Sequence, residues 1–280
     1  MSNNCNNYNK QLLGLKRNTI DKYYTKDNIT ELCLQIINKN LKINYESDLI
    51  IEPSAGNGSF IKVIKQLCRN YKLFDLEPDN DEIIQQDFLN LDYSQLIAYT
   101  RIHIIGNPPF GRQSSLAIKF IRYASIFCDS ISFILPKSFK KDSLKNKIPL
   151  CFHLLNETDL PKNSFLVNNT EYDVPCVFQI WEKKETNRLT PTKTSPKKFK
   201  FVKKAEPHDI SFRRVGVNAG HIDTNTEDKS IQSHYFIKFD NFNNELFDKL
   251  KEVVFDDSKN TVGPKSISKP DVVNIYNNIL

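Results

Sequence analysis

Apolar residues recur along this chain with two different periods, and the alternation between them predicts the architecture. From Asp27 to Lys42, the residues Ile29, Leu32, Cys33, Ile36, Ile37 and Leu41 fall three and four apart. That spacing predicts a helix with one apolar face and Asp27 as its N-cap. Leu49-Ile50-Ile51 is an unbroken apolar run stopped by Pro53, Gly56 and Gly58, as expected of a strand buried on both faces. A second helical stretch follows from Gly58 to Arg69. Further strands are predicted at Lys72–Phe74, Ile83–Ile84, Ile102–Ile105, Ser132–Leu135, Cys151–Leu155 and Val177–Trp181, with a helix over Ser115–Phe127. Strands that alternate with helices imply an α/β fold, a mostly parallel, Rossmann-like sheet covered on both faces. Ligands of such sheets bind beyond the carboxyl ends of the strands. The loops after Ile51, Phe74, Ile84 and Ile105 are therefore the candidate sites.

After Lys184 the texture changes. Residues 1–20 read as a polar arm, 21–185 as the catalytic domain, 186–198 as a basic linker, and 199–280 as a small C-terminal α+β extension. Strand-like pieces lie at Phe199–Val202, Ile210–Val215 and Tyr235–Phe239, with a helix at Asn244–Val253. No run approaches the roughly 18 apolar residues of a membrane helix, and the polar start MSNNCNNYNKQ lacks a secretory core. A cytoplasmic or nuclear protein is expected. The six cysteines have no metal-binding spacing and the five histidines are scattered, so no metal is expected and the thiols read as reduced core residues. The net charge of +6 is concentrated. Between Arg188 and Arg214 nine basic residues (Arg188, Lys193, Lys197, Lys198, Lys200, Lys203, Lys204, Arg213, Arg214) face two acidic ones. Such a cluster suits a polyanion, so Lys197, Lys198, Lys200, Lys203, Lys204, Arg213 and Arg214 are candidate contacts to a nucleic-acid backbone.

Four loops carry the chemistry. Glu52-Pro53-Ser54-Ala55-Gly56-Asn57-Gly58 joins a strand to a helix with small residues that let a ligand approach the backbone. It lacks the Gly-Lys-Ser/Thr of a phosphate loop and the spacing of a dinucleotide fingerprint. Its carboxylate at Glu52 suits a ligand bearing an ammonium group, and S-adenosylmethionine is such a ligand. Asp75 stands at the next strand end, where an acid can accept from ribose hydroxyls, with Glu77 as its rival. Asp87-Phe88 follows the strand after that. There a carboxylate could receive an adenine amino group and a ring could cover the base. Then comes Gly106-Asn107-Pro108-Pro109-Phe110. Two prolines stiffen the backbone and remove two N–H groups. Rigid carbonyls and the Asn107 oxygen could grip both hydrogens of an aryl amine while Phe110 stacks on its ring.

This series resembles the gamma-class N6-adenine methyltransferases, which carry a Glu-Pro-x-x-Gly-x-Gly-like loop and an Asn-Pro-Pro-Tyr/Phe tetrad, over roughly residues 21–184. Asp21-Lys22-Tyr23-Tyr24-Thr25 resembles the family's amino-terminal Tyr-Thr element, which lies against the cofactor. The resemblance implies an S-adenosylmethionine-binding, Rossmann-like catalytic domain. It implies that Tyr24, Thr25, Glu52, Pro53, Ser54, Ala55, Gly56, Gly58, Asp75, Asp87, Phe88 and Asn107 hold the cofactor. It further implies that Asn107, Pro108, Pro109 and Phe110 take the target base, with Phe165 as the second stacking ring. Adenine N6 in DNA is the expected acceptor. RNA adenosine, cytosine N4 and a protein glutamine pose the same chemical problem, and an inactive nucleic-acid-binding subunit of the same fold is the alternative of another class.

Overall fold

The computed structural model describes residues 23–190, 194–255 and 265–280. The polar arm, Asp21, Lys22, Lys193 and residues 256–264 lie outside them. In chain order the first unit consists of β1 (Tyr24–Thr25), α1 (Asp27–Asn40), β2 (Leu49–Glu52), α2 (Ile61–Leu67), β3 (Asn70–Asp75), β4 (Ile84–Gln85), β5 (Ile102–Gly106), α3 (Ser115–Ala124), β6 (Ser130–Pro136), α4 (Asp142–Lys145), β7 (Phe152–Asp159), β8 (Phe165–Val167), β9 (Thr170–Tyr172) and β10 (Cys176–Lys183). Seven strands form one sheet in the order β4-β3-β2-β5-β6-β10-β7. The pairs from β4 to β6 are parallel, whereas β10 runs antiparallel to both neighbours.

This is the α/β, Rossmann-like sheet that the alternating pattern implies. Side chains alternate across each strand, so Ile50 packs with α1 and α2 on one face while Leu49 and Ile51 pack with α3 on the other. The chain winds outward from β2 through β3 and β4, then crosses back to β5 on the other side of β2. That reversal opens a crevice between the carboxyl ends of β2 and β5, the place where open α/β sheets bind ligands.

Several boundaries move, each for a local reason. Lys26, not Asp27, is the N-cap of α1, and Asp27 sits in the first turn. The helix expected from Gly58 starts only at Ile61. Gly58 has φ +86 and donates to the Ala55 carbonyl at 2.7 Å, so it closes a turn. The β8–β9 hairpin was not expected; it turns on Asn168 and Asn169, both left-handed at φ 50 and 61, and β8 pairs with β1.

The second unit is a four-stranded antiparallel sheet in the order β11 (Phe199–Val202), β14 (His234–Phe239), β12 (Ile210–Arg213), β13 (Ile222–Asp223). The helices α5 (Asn244–Lys251) and α6 (Lys269–Ile279) pack on it around Phe199, Phe212, Ile237, Leu250, Val273 and Tyr276, an apolar cluster separate from the two in the first unit. Among the described residues no helix is long and apolar enough to cross a membrane.

Candidate active site

The crevice opens into a cavity of about 730 Å³, within the size range of cofactor sites. Its walls come from β1 and from the loops after β2, β3, β4 and β5. Among the residues picked from the sequence, Tyr24, Thr25, Glu52, Pro53, Ser54, Ala55, Gly56, Asp75, Asp87, Phe88, Asn107, Pro108, Pro109 and Phe110 line it. Gly58 and Phe165 do not.

The loop after β2 is stapled to the end of β3. Ala55 N–H donates to the Phe74 carbonyl at 2.8 Å, and Gly56 N–H donates to Asp75 Oδ2 at 2.8 Å. Asp75 Oδ1 accepts from Glu77 N–H at 2.9 Å, so this carboxylate shapes two loops at once. Gly56 is left-handed, and a Cβ there would sit 3.3 Å from the Tyr24 ring. The Tyr24 hydroxyl donates to Asp79, and its pKa is pushed up to about 12, by burial first and the Asp79 hydrogen bond second.

Among the described residues, five carboxylates line the cavity (Glu52, Asp75, Glu77, Asp87 and Asp173), and no Lys, Arg or His does. Glu52 is only 2% exposed, and its Oε2 has no hydrogen-bond partner among the described residues. Burial, then the Asp75 charge, holds its carboxyl well above the usual range. Gly106 makes room for it. At φ +148, a Cβ on Gly106 would lie 3.1 Å from Glu52 Cγ.

Asn107 follows directly. Its Nδ2 donates to the Tyr23 carbonyl at 3.2 Å and to Thr25 Oγ1 at 3.3 Å. Because a carbonyl only accepts, the amide orientation is fixed. Oδ1 is left buried with no partner among the described residues. The Asn107 carbonyl already accepts from the Ser54 hydroxyl at 3.3 Å. The Phe110 carbonyl accepts from Leu116 and Ala117 N–H, so the expectation that the loop's carbonyls are free narrows to those of Pro108 and Pro109, which accept no backbone donor among the described residues. Phe110 is half-buried on the cavity wall.

Three expectations need correction. Phe165 is fully buried in the core beneath Tyr23, so it has no face to offer a base. Its cross-strand partner Tyr172 lines the cavity, is 48% exposed and packs 5.5 Å from Tyr23. Tyr172, on the edge strand of the hairpin, is therefore the aromatic residue that reaches the cavity where Phe165 was expected. Phe88 is 1% exposed and stacks on Phe120 at 5.5 Å, with Tyr123 and Phe127 edge-on. It anchors the loop rather than covering a ligand, and the exposed Leu76 supplies apolar wall after β3. Asp87 caps the turn Phe88–Asn90, accepting from Leu89 N–H and Asn90 Nδ2, both at 2.9 Å.

The third correction concerns the basic stretch. Arg188 donates to four carbonyls, of Lys145, Ile148, Pro149 and Phe152, and lies over Trp181. It is a clamp on the first unit. Lys198 donates to the Leu280 carbonyl, Lys204 to Glu227 and Lys229, Arg213 to Val215, and Arg214 to Gln232. Lys204, Arg213 and Arg214 are half-buried, whereas Lys197, Lys198, Lys200 and Lys203 are exposed. A cleft of about 430 Å³ in this unit joins Arg213, His221, Lys229 and His234 to Asp223 and Asp228, with Lys229 paired to Asp223 at 2.6 Å. Among the described residues no three His, Cys, Asp or Glu side chains gather as a metal site.

No family model matches this chain, and no curated protein does. Solved structures do resemble it. One is a protein of Pyrococcus horikoshii provisionally described as an RNA methyltransferase, at 14% identity and a TM-score of 0.44, covering 61% of this chain and 91% of that one. The 23S rRNA methyltransferase ErmE aligns at 12% identity and 0.42, covering 59% and 72%. An rRNA methylase from Streptococcus thermophilus aligns at 15% and 0.36, covering 56% and 94%. At these values the reading of the site rests on its own geometry.

Proposed function

We propose that the protein transfers a methyl group from S-adenosylmethionine to the N6 amino nitrogen of adenine in a nucleic acid, with DNA as the favoured polymer and RNA the second. The observation that carries this reading is the Asn107 side chain. Its nitrogen is tied down and its buried oxygen is left without a donor. A buried acceptor without a partner costs about 1–3 kcal/mol, which an incoming amino group would recover.

The cofactor fits the cavity on chemical grounds. Five carboxylates, with no base among the described lining residues, would repel a pyrophosphate and attract a cation. When bound, S-adenosylmethionine supplies an electrophilic methyl group. Glu52 Oε2 would accept its ammonium, Asp75 its ribose hydroxyls, and the loop 87–88 with Leu76 its adenine. On the acceptor side, Asn107 Oδ1 and the Pro108 carbonyl would hold the two amino hydrogens of the target. Holding them draws the nitrogen lone pair out of conjugation with the ring. Phe110 would cover one face of the base and Tyr172 the other, after the base has left any duplex. No strong base is needed, because the proton can leave after transfer. Exposed Lys197, Lys200 and Lys203 would touch backbone further away.

The test is methyl transfer to DNA and RNA followed by digestion and mass spectrometry of the nucleosides. Asn107→Ala should retain cofactor binding and lose transfer by at least about 100-fold, the loss typical of one charge-stabilising contact. Near-normal transfer by that variant, or a methyl group found on cytosine or protein, overturns the proposal. Absence of any transfer favours an inactive binding subunit.

A further inference from the structure

We infer that Arg112, Lys137 and Lys140 form a rim that grips the phosphates flanking the target nucleotide. This rests on reading the cavity as a base-methylating site. Among the described residues the cavity walls are acidic and carry no cation. A polyanion that delivers a base into them must have its phosphates neutralised just outside.

The sheet places cations there. Gly106 at the end of β5 pairs with Phe133, so β6 continues beside the Asn107 loop for three more residues. The chain leaves β6 as Lys137-Ser138-Phe139-Lys140-Lys141. Phe139 is fully buried and anchors this turn. Lys137 N–H donates at 2.9 Å to the carbonyl of Pro175, a residue of the cavity wall. Lys137 and Lys140 share one carboxylate, Asp159, at 3.2 and 3.0 Å. Two ammonium groups on one carboxylate leave a positive charge unmatched. Among the described residues Lys141 donates only to the neutral Ser266 carbonyl, so the segment stays positive even with Asp142 counted.

Arg112 stands on the Phe110 side of the cavity, next to the wall residue Gly111. Gln113 and Ser114 behind it are both left-handed, at φ 53 and 60, and Ser114 is buried. Non-glycine residues persist in that region only where the surroundings enforce it, often at functional sites. Here the turn leaves Arg112 exposed, with no side-chain partner among the described residues. In contrast, the arginines of the C-terminal unit point their donors at main-chain carbonyls.

Fluorescence anisotropy with a labelled single-stranded oligonucleotide, titrated from 50 to 200 mM salt, tests the rim, with duplex DNA and RNA oligonucleotides run alongside. The variant R112A/K137A/K140A should flatten the slope of log affinity against log salt by about 2, at roughly 0.7 per phosphate contact on a single strand. K197A/K200A/K203A should change it less. D159N, which frees both lysines, should tighten binding several-fold, an effect that misfolding cannot produce. Calorimetric binding of S-adenosylhomocysteine should be unchanged in all three. An unaltered slope in the rim variant, or weaker binding by D159N, overturns the inference while leaving the methylation reading intact. A wild-type protein that binds no nucleic acid at all removes both.

Discussion

Replacing Glu52 by Gln should strengthen the fold and weaken the cofactor site at the same time. The side chain is 2% exposed, Oε2 has no partner, and burial with the Asp75 charge raises its pKa well above the usual range. A carboxyl with a raised folded pKa keeps its proton in the native state after the unfolded chain has lost it. Its contribution to stability is therefore whole at low pH and falls as pH rises from the unfolded pKa toward the folded one. The fall is about 1.4 kcal/mol per pH unit inside that window, or a Tm drop of roughly 3 °C per unit for a chain of this size. Glutamine has nothing to ionise, so E52Q should melt higher than wild type above neutral pH, and its Tm should lose that part of the pH slope. Binding should move the other way. A charge-assisted hydrogen bond contributes about 1.5–3 kcal/mol, so S-adenosylhomocysteine should bind roughly 10- to 100-fold more weakly. Differential scanning fluorimetry from pH 5 to 9 and calorimetry at pH 7.5 read the two effects. If E52Q binds the ligand as tightly as wild type, or melts lower across the whole range, the assignment of Glu52 as the ammonium acceptor fails.

The two aromatic candidates separate cleanly. Tyr172→Ala should raise KM for the oligonucleotide about 10-fold, since stacking contributes about 1–3 kcal/mol per base, and leave Tm nearly unchanged. Phe165→Ala should instead cost about 3–5 kcal/mol of stability in chemical denaturation, and an unchanged denaturation midpoint would contradict its place in the core. Arg188→Ala strips the donors from four carbonyls. It should lower stability by about 2–4 kcal/mol without flattening the salt dependence of nucleic-acid binding, and a flattened slope would return Arg188 to the phosphate contacts.

Where a feature depends on neighbours in the chain, the residues revealed it. Apolar runs such as Ile102–Ile105 located the strands, and Pro53, Gly56 and Pro108 marked the loops that line the cavity. Two missed elements also had local signals. Asn168-Asn169 between the strand-forming runs Phe165–Val167 and Thr170–Tyr172 is a hairpin turn signal, and Ser268 with Asp271 forms the capping box that starts α6. The errors at Phe165 and Arg188 were of another kind. Phe165 and Tyr172 are register partners on one face of the hairpin, and what separates them is long-range: pairing with β1 puts Phe165 on the covered central strand while Tyr172 stays on the open edge strand. The carbonyls that capture Arg188 come from residues 145–152, some forty positions earlier. Neither relation is written in local composition.

The fixed amide of Asn107 also determines what the cavity must refuse. With Nδ2 committed to Tyr23 and Thr25, the side chain cannot rotate to present a donor. A base that carries a keto oxygen in place of the amino group, as adenine does after deamination to hypoxanthine, would press one lone pair against another. Sites built to hydrogen-bond one group reject the analogue lacking it by about 10⁴-fold or more. Under the proposed function, the two weak hydrogen bonds that hold this amide in place would separate adenine from its deaminated product before any bond is made.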